Sequence, residues 1–261
     1  MWVVIGTVAA CGGGGSSDTV DAVDVDAAVT VDAAVTVDAA ALPPDAALPP
    51  PTSVLVLRDA PADGENFAGP QVIAALEAAG LDVTDGGFYA EWIAARDPMP
   101  ADHDVVVWLQ GEVWDFALAD PTLDTALADF VDAGGVLLRT EWAGFAAGTY
   151  PASDALLPAT YDGTYYYGGT YAAVDAGHRY LEGVALPLSS LAGYSAMLAS
   201  DAATVIATIS TNDPEPFTYP ALASRIVGDG EVVYLNHDMT YTLDVIEPEI
   251  LQVIVNVCDR R

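Results

Sequence analysis

Few side chains in this 261-residue chain could do chemistry: three histidines, two cysteines and a large stock of carboxylates. Apolar runs that read as strands are followed by Asp59 and Glu65, by Gln110, Glu112 and Trp114, by Glu141 and Trp142, and last by His237 with Asp238. An imidazole with a carboxylic acid nearby suits general acid–base work. One expectation is therefore a hydrolase for a sugar or related small molecule, with His237 as base and Glu141 or Asp59 as acid or metal ligand. Carboxylates interleaved with indoles suit a different task. Their oxygens take paired hydrogen bonds from sugar hydroxyls while an indole stacks on the C–H face, or they hold a cation. Asp59, Glu65, Gln110, Glu112, Trp114, Trp142 and His237 form the candidate ligand-binding set on that reading. Taken singly, each acid is better explained by a solvated rim.

Other motifs are weaker. Asp59 to Asn66 offers calcium-type oxygens, yet its spacing misses the Asp-x-Asp-x-Asp-Gly frame. Asp102-His103-Asp104 has a metal-site composition but precedes a strand, on the edge opposite the expected crevice, where solvation is the simpler account. Gly168-Gly169 has no following helix or Lys and so is no phosphate cradle. No metal and no cofactor is expected. Tyr150, Tyr161, Tyr165, Tyr166, Tyr167 and Tyr171 sit among Gly and Thr. They read as a β-rich insertion packing its rings on the domain, or as a lid that stacks on a glycan or partner.

The elements that must position these groups follow from periodicity. Ser53 to Arg58 is a continuous apolar strand, and Val72, Ile73, Leu76 and Ala79 at helical spacing, closed by Gly80, predict a helix over 70–79. Leu81 to Val83 restarts a strand, and Asp104 to Leu109 is apolar on both faces, as a buried parallel strand requires. Asp120-Pro121 opens a helix with Leu123, Leu127, Phe130 and Val131 on one face, and Val136 to Arg139 follows as a fourth strand. Gly228-Asp229-Gly230 between two apolar runs signals a hairpin. A last helix from about Pro248 carries Ile250, Leu251, Ile254, Val255 and Cys258 on its inner stripe. The alternation predicts a doubly wound α/β sheet, whose ligands lie beyond the carboxyl ends of the strands.

Composition bounds the partners. The chain has 38 acids, seven Arg, no Lys and a formal charge of −31, which excludes nucleic acid as a natural ligand. At 52% hydrophobic residues it can bury a sizeable core. Residues 53–261 alone carry −24, so the acidity belongs to the domain as well as to what precedes it.

Residues 1–10 are a short apolar run read as a signal peptide, too short for the roughly 20 residues of a membrane span. Val8-Ala9-Ala10-Cys11 resembles a bacterial lipobox, which implies lipidation of Cys11. Residues 11–52 read as a disordered spacer: a Gly/Ser tether, a repeated Val-Asp-Ala-Ala-Val-Thr and a Pro-rich end, with seven Asp and no basic residue from Asp18 to Pro51. A protein attached to the bacterial envelope through Cys11, outer-membrane by analogy, is the resulting expectation.

Over 53–261 the order of pieces resembles the class I glutamine amidotransferase-like superfamily, and within it the trehalose-utilisation-like branch. Three segments carry the likeness: Gly134-Gly135-Val136-Leu137-Leu138-Arg139-Thr140-Glu141, His178-Arg179-Tyr180-Leu181-Glu182-Gly183, and Gly230-Glu231-Val232-Val233-Tyr234-Leu235-Asn236-His237. The resemblance implies a mostly parallel, flavodoxin-like sheet, with His237 at the family's catalytic histidine. Arg139-Thr140-Glu141-Trp142 stands where the family has its nucleophile turn, without a Cys or Ser in the Gly-x-Cys-x-Gly or Gly-x-Ser-x-Gly frame. Glutamine hydrolysis is therefore not expected. The leading expectation is a catalytically degenerate domain that binds a ligand, a carbohydrate by resemblance, or a protein partner; a purely structural interaction module is the other alternative.

Overall fold

The computed structural model describes residues 52–58, 68–88, 91–92, 95, 97–111, 121–145, 151–211, 217–239 and 245–260. The expectations for the signal peptide, Cys11 and the spacer, and those for Asp59, Glu65, Glu112 and Trp114, lie outside the described residues.

Runs of β-branched and large apolar residues form the centre of the sheet. Strands β1 (Ser53–Arg58), β3 (Val105–Leu109) and β4 (Val136–Thr140) are parallel, with Val54 opposite Val105 and Val105 opposite Val136. Every residue of β3 and β4 is buried, which accounts for their lack of polar alternation. Strand β2 (Asp82–Phe88) flanks β1, and β9 (Gly230–Leu235) flanks β4, both parallel to their neighbours. Successive side chains of β1 go to opposite faces. Val54 and Val56 pack with Val72 and Leu76 of α1 (Ala68–Ala78) and with Ile250 and Ile254 of the last helix, Pro248–Cys258. Leu55 and Leu57 pack with Leu127, Phe130 and Val131 of α2 (Pro121–Asp132). Two one-turn helices, α3 (Trp142–Phe145) and α4 (Pro151–Asp154), come between, so the last helix is α5. Cys258 is buried on its inner stripe, where burial pushes its thiol up.

The expectation of a doubly wound, mostly parallel, flavodoxin-like sheet is corrected. The domain is built on a nine-stranded mixed sheet of order β2-β1-β3-β4-β9-β8-β7-β5-β6, and four of its eight pairings are antiparallel. Strands β5 (Ala159–Ala173), β6 (Leu188–Ala199), β7 (Thr204–Thr211) and β8 (Thr218–Val227) follow one another with no long helix among the described residues between them. Antiparallel neighbours need only short turns, whereas parallel ones require a crossover. The Tyr/Gly-rich segment is thus not an excursion from the sheet: as β5, 15 residues long, it is one of the sheet's own strands.

This second half curls back over the first. The side chain of Asn236, just past β9, donates to the Ser195 carbonyl at 2.8 Å and accepts from the Ser195 amide at 2.9 Å, as a neighbouring strand would. The Asp238 amide then donates to the Gly193 carbonyl at 2.9 Å. By these bonds β6, terminal in the strand order, is laid across the carboxyl ends of β4 and β9.

Candidate functional site

Glu141 follows β4 at the turn into α3, and it is fully buried. Its carboxyl Oε1 accepts from the Ser195 hydroxyl of β6, and its backbone carbonyl accepts from the Tyr234 hydroxyl at 3.0 Å. Oε2 has no hydrogen-bond partner among the described residues. Burial pushes the carboxyl up to about 8. The nearby charge of Asp238 adds to the rise, and the Ser195 hydrogen bond opposes it. At neutral pH the group is an uncharged acid.

His237, also fully buried, has Nδ1 2.9 Å from the Tyr171 hydroxyl, which itself donates to the Asn236 carbonyl at 3.0 Å. Nε2 lies 3.3 Å from the carboxylate of Glu247, within ion-pair range but without hydrogen-bond alignment. Glu247 immediately precedes α5 and accepts from the Ser190 hydroxyl through its other oxygen. Burial favours the neutral form of Glu247. The His237 imidazole and the Ser190 hydroxyl outweigh it and hold the carboxyl near about 2. Imidazole, carboxylate and phenol thus make a closed polar cluster in which the Nε2 edge of His237 meets Glu247 by charge alone.

Asp238 belongs to a more open corner. One carboxylate oxygen accepts from the Trp142 indole at 3.3 Å, the other from the Tyr165 hydroxyl at 2.8 Å. The Trp142 and Tyr165 rings lie 5.7 Å apart at 32°, and Tyr167 meets Tyr165 edge-on at 5.0 Å. Asp238 is buried, Trp142 and Tyr165 are half-buried, and Tyr167 is 61% exposed. A buried carboxylate therefore fixes an aromatic shelf that solvent reaches.

Of the expected site residues, the structure gathers Glu141, Trp142, His237 and Asp238 at the carboxyl edge of the parallel strands. Glu141 and His237 share no direct hydrogen bond; they are linked through Ser195 and Asn236. Gln110 is tied elsewhere. Its Oε1 accepts from Arg139 Nε at 2.7 Å, and that guanidinium pairs with Asp154 at 2.8 Å and lies 4.9 Å over the Trp108 ring. Asp104 is bound to the Ser53 amide and hydroxyl, both at 2.9 Å, and among the described residues no group of three or more His, Cys, Asp or Glu is placed to hold a metal. His178 accepts from the Tyr180 amide at 3.2 Å and caps a short 3-10 turn, a structural role.

Sequence reasoning missed Ser195, Glu247 and Asn236. Asn236 had a local signal, since a polar Asn-His-Asp triplet directly after a buried strand is unusual. Ser195 and Glu247 had none, because their partners lie 54 and 10 residues away and nothing in between marks the approach.

No protein-family model matches the chain, and no curated protein does. Solved structures do. A cytoplasmic protein from Salmonella typhimurium superposes with a TM-score of 0.60 at 17% identity, covering 80% of this chain and 97% of that one. A second from the same organism gives 0.58 at 20%, covering 79% and 97%. A ThuA-like protein from Bacteroides uniformis gives 0.59 at 12%, covering 82% and 93%. At these identities the likeness is one of fold: the domain shares the architecture of a ThuA-like protein, which fits the trehalose-utilisation-like resemblance of the three segments.

Proposed function

We propose that this chain is a tethered ligand-binding protein of the bacterial envelope, its ThuA-like domain a degenerate member of the class I glutamine amidotransferase-like superfamily that binds carbohydrate. The observation that carries this reading is the contrast between two neighbouring clusters. Glu141, Ser195, Asn236 and His237 are fully buried and largely committed to one another, whereas half-buried Trp142 and Tyr165 and exposed Tyr167 gather around a fixed carboxylate. At the turn where a nucleophile would stand there is an uncharged acid, plugged by β6. Aromatic faces with a rigid hydrogen-bonding rim match a sugar, whose C–H face stacks while its hydroxyls meet polar groups. Lipidation at Cys11 and the acidic spacer over 11–52 would hold such a domain off a membrane surface.

The test is a glycan array probed with the full chain and with Trp142→Ala and Tyr167→Ala. Specific binding that both substitutions abolish supports the reading; binding that survives both removes the shelf as its basis. Cell fractionation of Cys11→Ser tests the anchor separately, since membrane retention without the cysteine contradicts it.

The contact between His237 and Glu247 favours a second reading, a hydrolase whose imidazole is oriented by Glu247, with Glu141 not its partner. Turnover of a glycoside panel by the full chain, lost in His237→Gln and unaffected by Trp142→Ala, would favour it over the binding reading.

A further inference from the structure

The other edge of the sheet holds a separate cleft. The amino-terminal ends of β3 and β4 border a cavity of about 590 Å³, within the range of small-molecule sites, roughly 300–1,000 Å³. Most of its wall is apolar. Phe130 is only 5% exposed, and its ring lies so close to the Gly135 backbone that a Cβ there would come within 2.2 Å of it. Met99, Pro100 and Ala133 extend that wall. A ligand that is polar all round, as a sugar is, would leave hydroxyls unmatched against it.

Arg260 and Asp104, which also line the cavity, are anchored around a single turn. The Arg260 guanidinium donates from Nη1 to the Gly134 carbonyl at 3.2 Å, and the Val136 amide donates to the Asp104 carbonyl at 3.1 Å. Each side chain keeps hydrogen-bonding capacity. The Gly134 bond is the only one the guanidinium makes among the described residues, which leaves donors on a group that carries five. The Ser53 amide and hydroxyl both donate to Oδ2 of Asp104, at 2.9 Å, so Oδ1 has no donor among the described residues. Nδ1 of His103, on the same cavity, is buried without a partner among them. The Ser53 amide is the main influence that holds the Asp104 carboxyl below its ordinary value; burial opposes it, and the Ser53 hydroxyl, Arg260 and His103 assist. Guanidinium and carboxylate therefore feel each other's charge, yet among the described residues they form no direct ion pair.

Such a pair discriminates by charge. An anion drawn to Arg260 meets Asp104, and a cation drawn to Asp104 meets Arg260, whereas an uncharged group with an acceptor and a donor side by side engages both. We propose that the cleft binds a small uncharged amide carried on an apolar ring. Its carbonyl oxygen accepts from Arg260, its N–H donates to Oδ1 of Asp104, and the ring packs on Phe130. In primary carboxamides and lactams an N–H lies on the same side as the C=O. With hydrogen bonds of about 2.9 Å at each, two groups too far apart to pair directly can hold that edge between them. Asp129, exposed on α2 and lining the same cavity, adds a further charge against anions.

Titration calorimetry and thermal unfolding of the full chain with benzamide, benzoate, benzylamine, N,N-dimethylbenzamide and thymine test this. Benzamide is expected to bind and raise Tm with concentration. Benzoate, benzylamine and N,N-dimethylbenzamide keep the ring but spoil one side of the edge, and each should bind roughly tenfold more weakly. Thymine against benzamide tells a lactam from an open carboxamide, and binding of either supports the shared edge. Arg260→Met should bring benzylamine above benzamide, and Asp104→Asn should bring benzoate above it. Arg260 is exposed, so the unliganded Tm of its variant should stay close to that of the parent; this variant carries the test alone if loss of the carboxylate on Ser53 prevents folding of the other. Binding of neither amide at millimolar concentration, N,N-dimethylbenzamide binding as tightly as benzamide, or an unchanged ligand order in Arg260→Met would overturn the proposal. Trp142→Ala should leave amide binding intact, so failure here is separable from failure of the glycan shelf.

Discussion

The Ser195 hydroxyl donates to the Glu141 carboxyl, and this contact joins the antiparallel half of the sheet to the end of a central parallel strand. It places a hydroxyl beside an acid that burial keeps protonated, in a space closed by β6. The strand that completes the fold is also the one that occupies the crevice where the parallel strands end.

Glu141 should make stability fall as pH rises. Its folded value is about 8 against an ordinary 4.5, so between those values the folded state binds more protons than the unfolded one. The contribution of this group then declines with a slope of up to about 1.4 kcal/mol per pH unit. Denaturant unfolding of the parent and of Glu141→Gln from pH 4 to 9 checks it: the variant should lose much of the alkaline decline while matching the parent near pH 5. Parallel curves would refute a buried neutral acid.

Glu247 should act in the opposite sense and in a different window. Its folded carboxyl is held near about 2, below the ordinary 4.5, so its stabilising contribution is complete above 4.5 and disappears as pH falls toward 2. Glu247→Gln should flatten that acid limb. The same variant should shift the His237 ring resonances in an NMR spectrum at fixed pH, because Nε2 loses its carboxylate neighbour.

Gly193 on β6 leaves room for the Tyr165 hydroxyl, since a Cβ at position 193 would lie 1.7 Å from it. Gly193→Ala should push Tyr165 off Asp238 and cost about 1–3 kcal/mol. Any shelf-dependent glycan binding should fall with it. Tyr165→Phe, which keeps the ring and deletes the hydroxyl, separates loss of the hydrogen bond from loss of the stacking surface.

Arg139 is a buried cation paired with Asp154, and their side chains are 0% and 7% exposed. Removing one partner leaves the other charge buried, at a cost of about 3–5 kcal/mol. Asp154→Ala should show this as a lowered urea midpoint. Arg139→Met with Asp154→Leu should recover much of the loss if the pair contributes specificity more than stability.

The stretches from Val105 to Leu109 and from Pro121 to Thr140 were the most legible of the domain. A fully apolar strand, a helix with one apolar face and a Gly-Gly stop each report local burial, and all three stand where the spacing puts them. The strand of Leu81 to Val83 was legible only at its start; β2 continues through Gly86 and Gly87, residues that ordinarily argue against a strand. Strands β5 to β7 were the least legible. Their Gly, Ser, Thr and Tyr are also turn and loop residues, and they become strands because each finds an antiparallel partner in the sheet.

Residue order by itself determined the acidic character, the apolar strands around Val54, Val106 and Leu137, and the place of Glu141, His237 and Asp238 just after such strands, because each depends on charge count or local periodicity. The tertiary structure alone decided that half of the sheet is antiparallel, that β6 covers those strand ends, and that His237 faces Glu247 while Glu141 faces Ser195. Those outcomes rest on which edges pair and how the sheet curls. Side chains far apart in the chain then meet in a low-dielectric interior, where the meeting, more than residue type, sets whether an acid is charged.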